Sequence, residues 1–340
     1  MLEAEKNLRR ELNDKTVLIT GGTGSIGISL VKQLIKYNPK SIRILTNDEN
    51  SVFEVKRVVG NLPIFTFMVG DVRDRDRLNL AIRDVDIVFH AAAMKHIDIC
   101  EQNPFDAVKT NVIGTSNVLE ASLIEDVSKF ILISTDKATN PTSTLGASKL
   151  LAERLTLNAS SYRGTGKTVF SIARFGNVIG SRGSVFQIFL QQIKKGGPVT
   201  VTDRRMTRFI MSISEAASMI LKVSKIAKDG EIFILKMPSV KIEDLARSMI
   251  DVRNTRFALD KKSVQINFSK AREREKLHEI LVTHDELPYC HDVGTMFKIS
   301  RDKNPKEIPF NHFSSETAKQ IPLERLSHII TEVLDEYLSF

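Results

Sequence analysis

The run Lys15-Thr-Val-Leu-Ile-Thr20 passes without a spacer into Gly21-Gly-Thr-Gly-Ser-Ile-Gly27, and few folds accept that junction. The apolar stretch has the length and β-branched content of a buried strand, while residues 26–37 carry the apolar spacing of a helix. Between them Gly21, Gly24 and Gly27 allow a tight turn with no side chain in the way. A strand that turns on glycines into a helix opens a right-handed βαβ crossover. The alternation recurs: strands are expected at 16–20, 41–46, 64–69, 87–90, 130–134 and 168–174, with helices at 26–37, 74–83, 104–123 and 148–162. The strands are near-continuous in Val, Ile, Leu and Phe, as burial on both faces requires.

These signals predict an α/β chain, a Rossmann-like doubly wound parallel sheet. Beyond Gly176, short breaks at Gly180-Ser-Arg-Gly-Ser184, Lys195-Gly-Gly-Pro198 and Lys236-Met-Pro238 separate smaller elements. Helices are expected at 184–195, 240–252 and 323–338. Residues 1–14 read as an N-terminal arm, either a short surface helix or frayed. Residues 15–178 read as the Rossmann domain, and 179–340 as mainly a smaller, interleaved substrate-binding region. A seventh sheet strand is expected to return at 231–236. A chain of 340 residues with 42% hydrophobic content can bury one large core and a lesser one.

No apolar stretch approaches the roughly 20 residues of a membrane-spanning helix. The charged first 15 residues lack the apolar segment of a secretory signal. Cys100 and Cys290 offer neither a disulfide framework nor metal-ligand spacing. A cytoplasmic protein without membrane contact is expected. The net charge is +8, but acidic residues interrupt the basic clusters and aromatics make up only 6%. Nucleic acid is therefore not an expected partner, whereas a diphosphate ligand is.

Glycines between strand and helix let backbone approach a pyrophosphate, whose charge sits at the helix N-terminus. A dinucleotide is the expected ligand. Asp48, after the second strand, suits a ribose hydroxyl and so NAD; Lys56 and Arg57 suit a 2′-phosphate and so NADP. Asp71 is placed for an adenine amino group or for a helix cap. Ala91-Ala-Ala93 keeps side chains small where backbone must come close. At the end of the fifth strand, Ser134-Thr-Asp-Lys137 sets an acid beside a base, and Lys149 follows one loop later. Elimination needs an acid and a base on one substrate, and Asp136 and Lys137 supply both if the lysine's pKa falls. Their alternative is a loop ion pair.

Further motifs occur in order: Gly70-Asp-Val-Arg-Asp74, His90-Ala-Ala-Ala-Met-Lys-His96, Lys109-Thr-Asn-Val-Ile-Gly114, Arg174-Phe-Gly-Asn-Val178, Met206-Thr-Arg-Phe209 and Glu275-Lys-Leu-His-Glu-Ile-Leu281. With Gly21–Gly27 and Ser134-Thr-Asp-Lys-Ala138, the series resembles the polysaccharide-biosynthesis branch of the extended short-chain dehydrogenases/reductases. That branch includes UDP-N-acetylglucosamine 4,6-dehydratases, some of which invert carbon 5.

The resemblance implies NADP or NAD, tightly bound and recycled. Its contacts would be Gly21, Thr23, Gly24, Ser25, Ile26, Gly27, Asp48, Asp71, Val72, Ala91, Ala92, Ala93, Lys95, Asn111 and Lys149. It implies a UDP-sugar held by Lys95, Asn177, Ser184, Val185, Arg208, Arg272 and Glu275. Lys137 would remove the carbon 5 proton and Asp136 would protonate the carbon 6 hydroxyl. Ser134 or Thr135 would bond the carbon 4 oxygen, and Lys149 the nicotinamide ribose. Relatives assemble as dimers to hexamers, which implies a homo-oligomer.

Two positions depart from the pattern. Leu145 stands where Tyr-x-x-x-Lys has its tyrosine, so Lys149, a water or Asp136 must accept the carbon 4 proton; loss of such a base commonly costs ~10²–10⁴-fold. Arg272-Glu-Arg-Glu-Lys276 replaces the usual Arg-Pro-Gly-Glu-Lys. A 4-epimerase and a catalytically silent nucleotide-sugar or NAD(P) binder are the competing readings.

Overall fold

The computed structural model describes residues 2–256, 264–269, 274–304, 306, 308 and 310–338. Its centre is a parallel array: β1 (Thr16–Thr20), β2 (Ser41–Thr46), β3 (Phe65–Val69), β4 (Ile87–His90), β5 (Lys129–Thr135) and β6 (Val169–Phe175) lie in the order 3-2-1-4-5-6. The direction of winding reverses between β1 and β4, whose parallel register runs from Val17 opposite Ile87 to Thr20 opposite His90. Ligand crevices in doubly wound sheets open at that point, beyond the strands' carboxyl ends.

Strand Glu231–Leu235 returns parallel to β6, and two strands not foreseen from the sequence, Met296–Ile299 and Cys290–Asp292, extend that edge antiparallel. Among the described residues the sheet therefore has nine strands. Helices cover both faces and leave Val17, Leu18, Ile19, Phe89, Phe130, Phe170 and Phe233 almost without solvent contact.

A separate apolar cluster joins the helices Val185–Lys194, Ile242–Arg256 and Leu323–Leu338 through Phe186, Phe189, Leu245, Leu326 and Ile330. This body sits over the carboxyl ends of β5 and β6 by way of the strands Asn177–Val178, Thr207–Met211 and Ser239–Lys241, which form a small sheet.

The N-terminal segment is not a frayed arm. Helix α1 (Leu2–Leu12) buries Leu8 and Leu12 in the main core, and Glu11 pairs with Lys129 at 2.6 Å. Burying a leucine side chain stabilises by about 1.5–3 kcal/mol, enough to dock a helix of this length. Helix Thr144–Asn158 starts four residues before the expected 148, because Ser143 caps it by accepting a bond from the Gly146 amide at 3.2 Å. The expected 104–123 helix carries a π-turn at Lys109–Ile113.

Candidate active site

One cleft of about 1010 Å³ runs from the β1–β4 reversal to the second apolar body. On its first wall, β1 turns through Gly21 and Gly24 into α2 (Ser25–Leu34). A side chain at Gly21 would stand 2.7 Å from the Ala92 amide, and one at Gly27 would stand 2.6 Å from the Gly22 backbone. Both positions accept only hydrogen, which keeps the turn flush against Ala91–Ala93. No side chain caps α2, so its leading amides remain for an anion. The donor set and the bare cradle fit a dinucleotide pyrophosphate.

Thr23 and Ser25 face this wall, but their hydroxyls brace it. Thr23 bonds Thr46 and Ser51, each at 2.8 Å, and Ser25 accepts from the Arg182 amide at 3.1 Å. Asp48 caps the helix Glu49–Val59 by accepting from the Asn50 amide. Asp71 caps nothing, since Asp74 caps Arg75–Ile82; its carboxylate is gripped by Arg73 at 2.8 and 2.9 Å, which holds it below the ordinary range. Ile26 and Val72 complete the wall beside the glycines.

The acid–base pair sits where β5 ends. Asp136 is fully buried, and its Oδ1 accepts from Lys137 Nζ at 2.9 Å and from Thr135 Oγ1 at 3.0 Å. Its Oδ2 has no hydrogen-bond partner; a side chain at Gly176 would press within 3.0 Å of it. Thr135, Lys137 and Gly176 line the cleft, with Asp136 just behind them. Two sequence expectations need correction here. Lys137 is not deprotonated by its surroundings: burial pulls its pKa down, but Asp136 and then Glu279 outweigh it and hold the pKa above the ordinary value. Ser134 is not free for a ligand, because its hydroxyl donates to Glu153 at 2.6 Å, inside the buried Glu153–Arg174–Glu286 network.

Lys149 lies one helical turn beyond Leu145, and both line the cleft. Its ammonium donates to the Ile133 carbonyl at 2.7 Å, and burial pushes its pKa down to about 8 against the opposing pull of Glu153. Leu145 packs with Cys100 and Ala107 in a small apolar cluster, so no hydroxyl occupies that spot. Asn111, on the π-turn, sits behind the cleft and bonds Ser148 at 3.0 Å and the Met94 backbone at 2.8 and 3.1 Å. It braces the helix that carries Lys149 without touching the lysine. Beneath, His90 bridges Thr20 and Thr115, and burial lowers its pKa to about 3, so its ring is neutral.

The far wall holds Lys95, Asn177, Ser184, Val185, Arg208 and Glu275. Asn177 Oδ1 and Ser184 Oγ are buried without a hydrogen-bond partner, and Ser184 begins the helix Val185–Lys194 without capping it. Unsatisfied buried polar atoms cost about 1–3 kcal/mol each, so a ligand that bonds them gains that much. Lys95 has its pKa lowered by desolvation and by Arg182. Arg208 differs from its expected role as a free fork for diphosphate: its guanidinium is committed to the carbonyls of Thr207, Lys276 and Leu277 at 2.7, 2.9 and 3.1 Å. Arg272 lies outside the described residues.

The segment before Ile280–Val282 is irregular, bending at Leu277 and His278, and it brings Glu279 to 3.7 Å from Lys137. Glu279, which the sequence placed on a helix supporting the fold, and Gly176 are functional candidates that the motifs alone did not mark. Both stood within recognised motifs, and either could have been singled out as a buried acid or a required gap. Among the described residues no cluster of His, Cys, Asp and Glu is placed to hold a metal ion.

The sequence pattern of the family described as polysaccharide biosynthesis protein matches residues 17–301. The chain belongs to this family. It is an enzyme of the extended short-chain dehydrogenase/reductase type, within the nucleotide-sugar dehydratases and epimerases. It is 42% identical over 290 residues to a UDP-N-acetylglucosamine 4,6-dehydratase (inverting) of Campylobacter jejuni, covering 85% of this chain and 83% of that one. It is 38% identical over 314 residues to a UDP-glucose 4-epimerase of Rickettsia bellii, covering 91% and 89%. A Methanocaldococcus jannaschii protein described as an uncharacterized membrane protein is 50% identical over 325 residues, covering 94% and 96%. No described helix of this chain is long and apolar enough to cross a membrane. The X-ray structure of Pen from Bacillus thuringiensis superimposes with a TM-score of 0.88 at 38% identity, covering 95% of this chain and 98% of that one.

Proposed function

We propose that this family member is a nucleotide-sugar 4,6-dehydratase that converts UDP-N-acetylglucosamine to a UDP-4-keto-6-deoxy sugar and water. The observation that carries the reading is the Asp136–Lys137 pair at 2.9 Å, with Asp136 buried and Lys137 facing the cleft. NAD or NADP held on the glycine wall would take hydride from carbon 4 and return it to carbon 6. Residues on this chain then handle the protons. Lys149, with its pKa near 8, accepts the proton of the carbon 4 hydroxyl, in place of the missing tyrosine.

The pair rests as ammonium and carboxylate. The form that eliminates water is its tautomer, neutral Lys137 with protonated Asp136, reached by moving one proton across a 2.9 Å hydrogen bond. Closure of a sugar over the pair excludes water and favours that neutral form. Lys137 takes the carbon 5 proton and Asp136 gives its proton to the carbon 6 oxygen as that bond breaks. When hydride arrives at carbon 6, the Lys137 ammonium returns a solvent-exchangeable proton to carbon 5, and the proton released at carbon 4 passes through solvent to restore the pair. Thr135 holds the Asp136 carboxyl from the cleft side. The unpartnered Ser184 hydroxyl can donate to the diphosphate, and the unpartnered Asn177 Oδ1 can accept from a sugar hydroxyl or N–H. Cytoplasmic residence and a homo-oligomeric assembly belong to the same reading.

A 4-epimerase is the alternative supported by the Rickettsia bellii relative. It returns hydride to carbon 4 and has no use for an acid–base pair aimed at carbons 5 and 6. Mass spectrometry of the nucleotide sugar separates them. A product lighter by one water supports the dehydratase, a product of unchanged mass but altered chromatography supports the epimerase, and unaltered substrate supports a silent binder.

A further inference from the structure

Resting on the dehydratase reading, we propose that Glu279 is a positioning residue for the elimination, holding Lys137 between two carboxylates and stabilising the ammonium that forms when it takes the carbon 5 proton. Glu279 is buried, and its Oε1 lies 3.7 Å from Lys137 Nζ, on a chain segment remote from Asp136. Its backbone is pinned: the Glu279 amide donates to Ser315 Oγ at 2.9 Å, and the Ser315 amide donates to the Glu279 carbonyl at 2.8 Å.

A purely structural buried glutamate would be closed off by short hydrogen bonds, as Glu153 is with Arg174 at 2.7 Å. Glu279 is not. Oε2 has no hydrogen-bond partner, and the nearby cations, Lys137, Lys276 and Arg208, stand at 3.7, 3.7 and 4.0 Å. It acts on them as a charge. The groups facing Lys137 include Asp136 on its own turn, Arg208 from the strand Thr207–Met211, and Glu279 from the irregular segment before Ile280. Lys276 also feels Lys137 and Asp136 and stands 3.7 Å from Glu279, while Glu275 stands 3.5 Å from Arg208. Asp136 also bonds Thr135, and its Oδ2 is left without a hydrogen-bond partner beside the gap at Gly176. Among the described residues, Glu279 is therefore the carboxylate left beside the Lys137 ammonium once it has taken the carbon 5 proton and before Asp136 gives up its own.

The test pairs Glu279→Gln with Glu279→Asp, in two readouts. Steady-state kinetics with UDP-N-acetylglucosamine should show kcat lowered roughly 10²-fold in Glu279→Gln, with KM nearly unchanged and partial recovery in Glu279→Asp. An NMR titration of ¹⁵N-lysine-labelled protein, needing no turnover, should show Lys137 losing its proton about 1 pH unit earlier in Glu279→Gln and at the wild-type pH in Glu279→Asp. Wild-type kcat in both variants, or an unmoved Lys137 titration in Glu279→Gln, overturns the proposal. Should Glu279→Gln not fold, an undiminished kcat in Glu279→Asp overturns it alone. A shifted titration in a protein that makes no dehydrated product leaves the charge role standing and removes the dehydratase reading.

Discussion

The glycine wall and the acid–base cluster line one cleft, yet they are assembled by different means. The wall is contiguous: Gly21 to Gly27 is a single turn of backbone, seated on Ala91–Ala93 by the pairing of β1 with β4. The cluster is gathered from afar, with Asp136 and Lys137 from the end of β5, Gly176 just past β6, Arg208 from a second sheet and Glu279 from an irregular segment. The wall works through atoms it lacks, the cluster through charges it balances. A ligand site made of backbone tolerates changes elsewhere in the fold, whereas one made of distant charges depends on every element that delivers them.

The largest effect should come from cutting the cluster. Asp136→Asn and Lys137→Ala should each lower dehydration by ~10²–10⁴-fold while dinucleotide binding, followed by fluorescence, stays at the wild-type level. Loss of both properties together would mean that the two regions are not separable.

Gly27→Ala probes the other side. A methyl 2.6 Å from the Gly22 backbone should distort the turn at about 1–3 kcal/mol and weaken dinucleotide affinity correspondingly, with the Lys137 titration unmoved. Calorimetric titration with NAD and NADP reads the first property.

A smaller effect is expected from pH. With Lys149 near 8 and acting as neutral base, kcat/KM should rise tenfold per unit below about 8 and level off above it. A profile flat across that range would take Lys149 out of proton transfer. The smallest test separates cap from contact at Asp48. Asp48→Ser keeps a capping oxygen, so thermal stability should hold, while Asp48→Ala should lose about 0.5–2 kcal/mol. Equal loss of NAD affinity in both variants would assign the carboxylate to the ribose.

The same contrast governs how much could be read in advance. The parallel sheet and the glycine wall were legible because their signals are local: near-continuous apolar strands, and glycines at a strand–helix junction. The cluster was legible only in its contiguous part, Asp136 and Lys137. Glu275-Lys-Leu-His-Glu279 has helical spacing, but the Thr207 amide takes the Leu277 carbonyl and Ile280–Val282 pairs with Phe313–Ser314, so no helix forms and the run bends at Leu277 and His278. Ser134 and Arg208 carry the right chemistry for ligand contact, yet Glu153 and the 276–277 carbonyls, invisible as neighbours in the sequence, claim their hydrogens first. The rise in Lys137's pKa has the same origin, since one of its two counter-charges lies on that irregular segment. In α1 the i, i+4 leucines Leu8 and Leu12 were a docking signal masked by the surrounding charges.

The central claim is that Lys137 and Asp136 carry out an elimination across carbons 5 and 6. Proton NMR of the purified protein with UDP-N-acetylglucosamine in deuterated water tests it most directly. The account predicts a new carbon 6 methyl resonance with deuterium at carbon 5, whose ring couplings then report whether that carbon inverted. A new sugar that keeps its carbon 6 hydroxymethyl and its carbon 5 proton would contradict it.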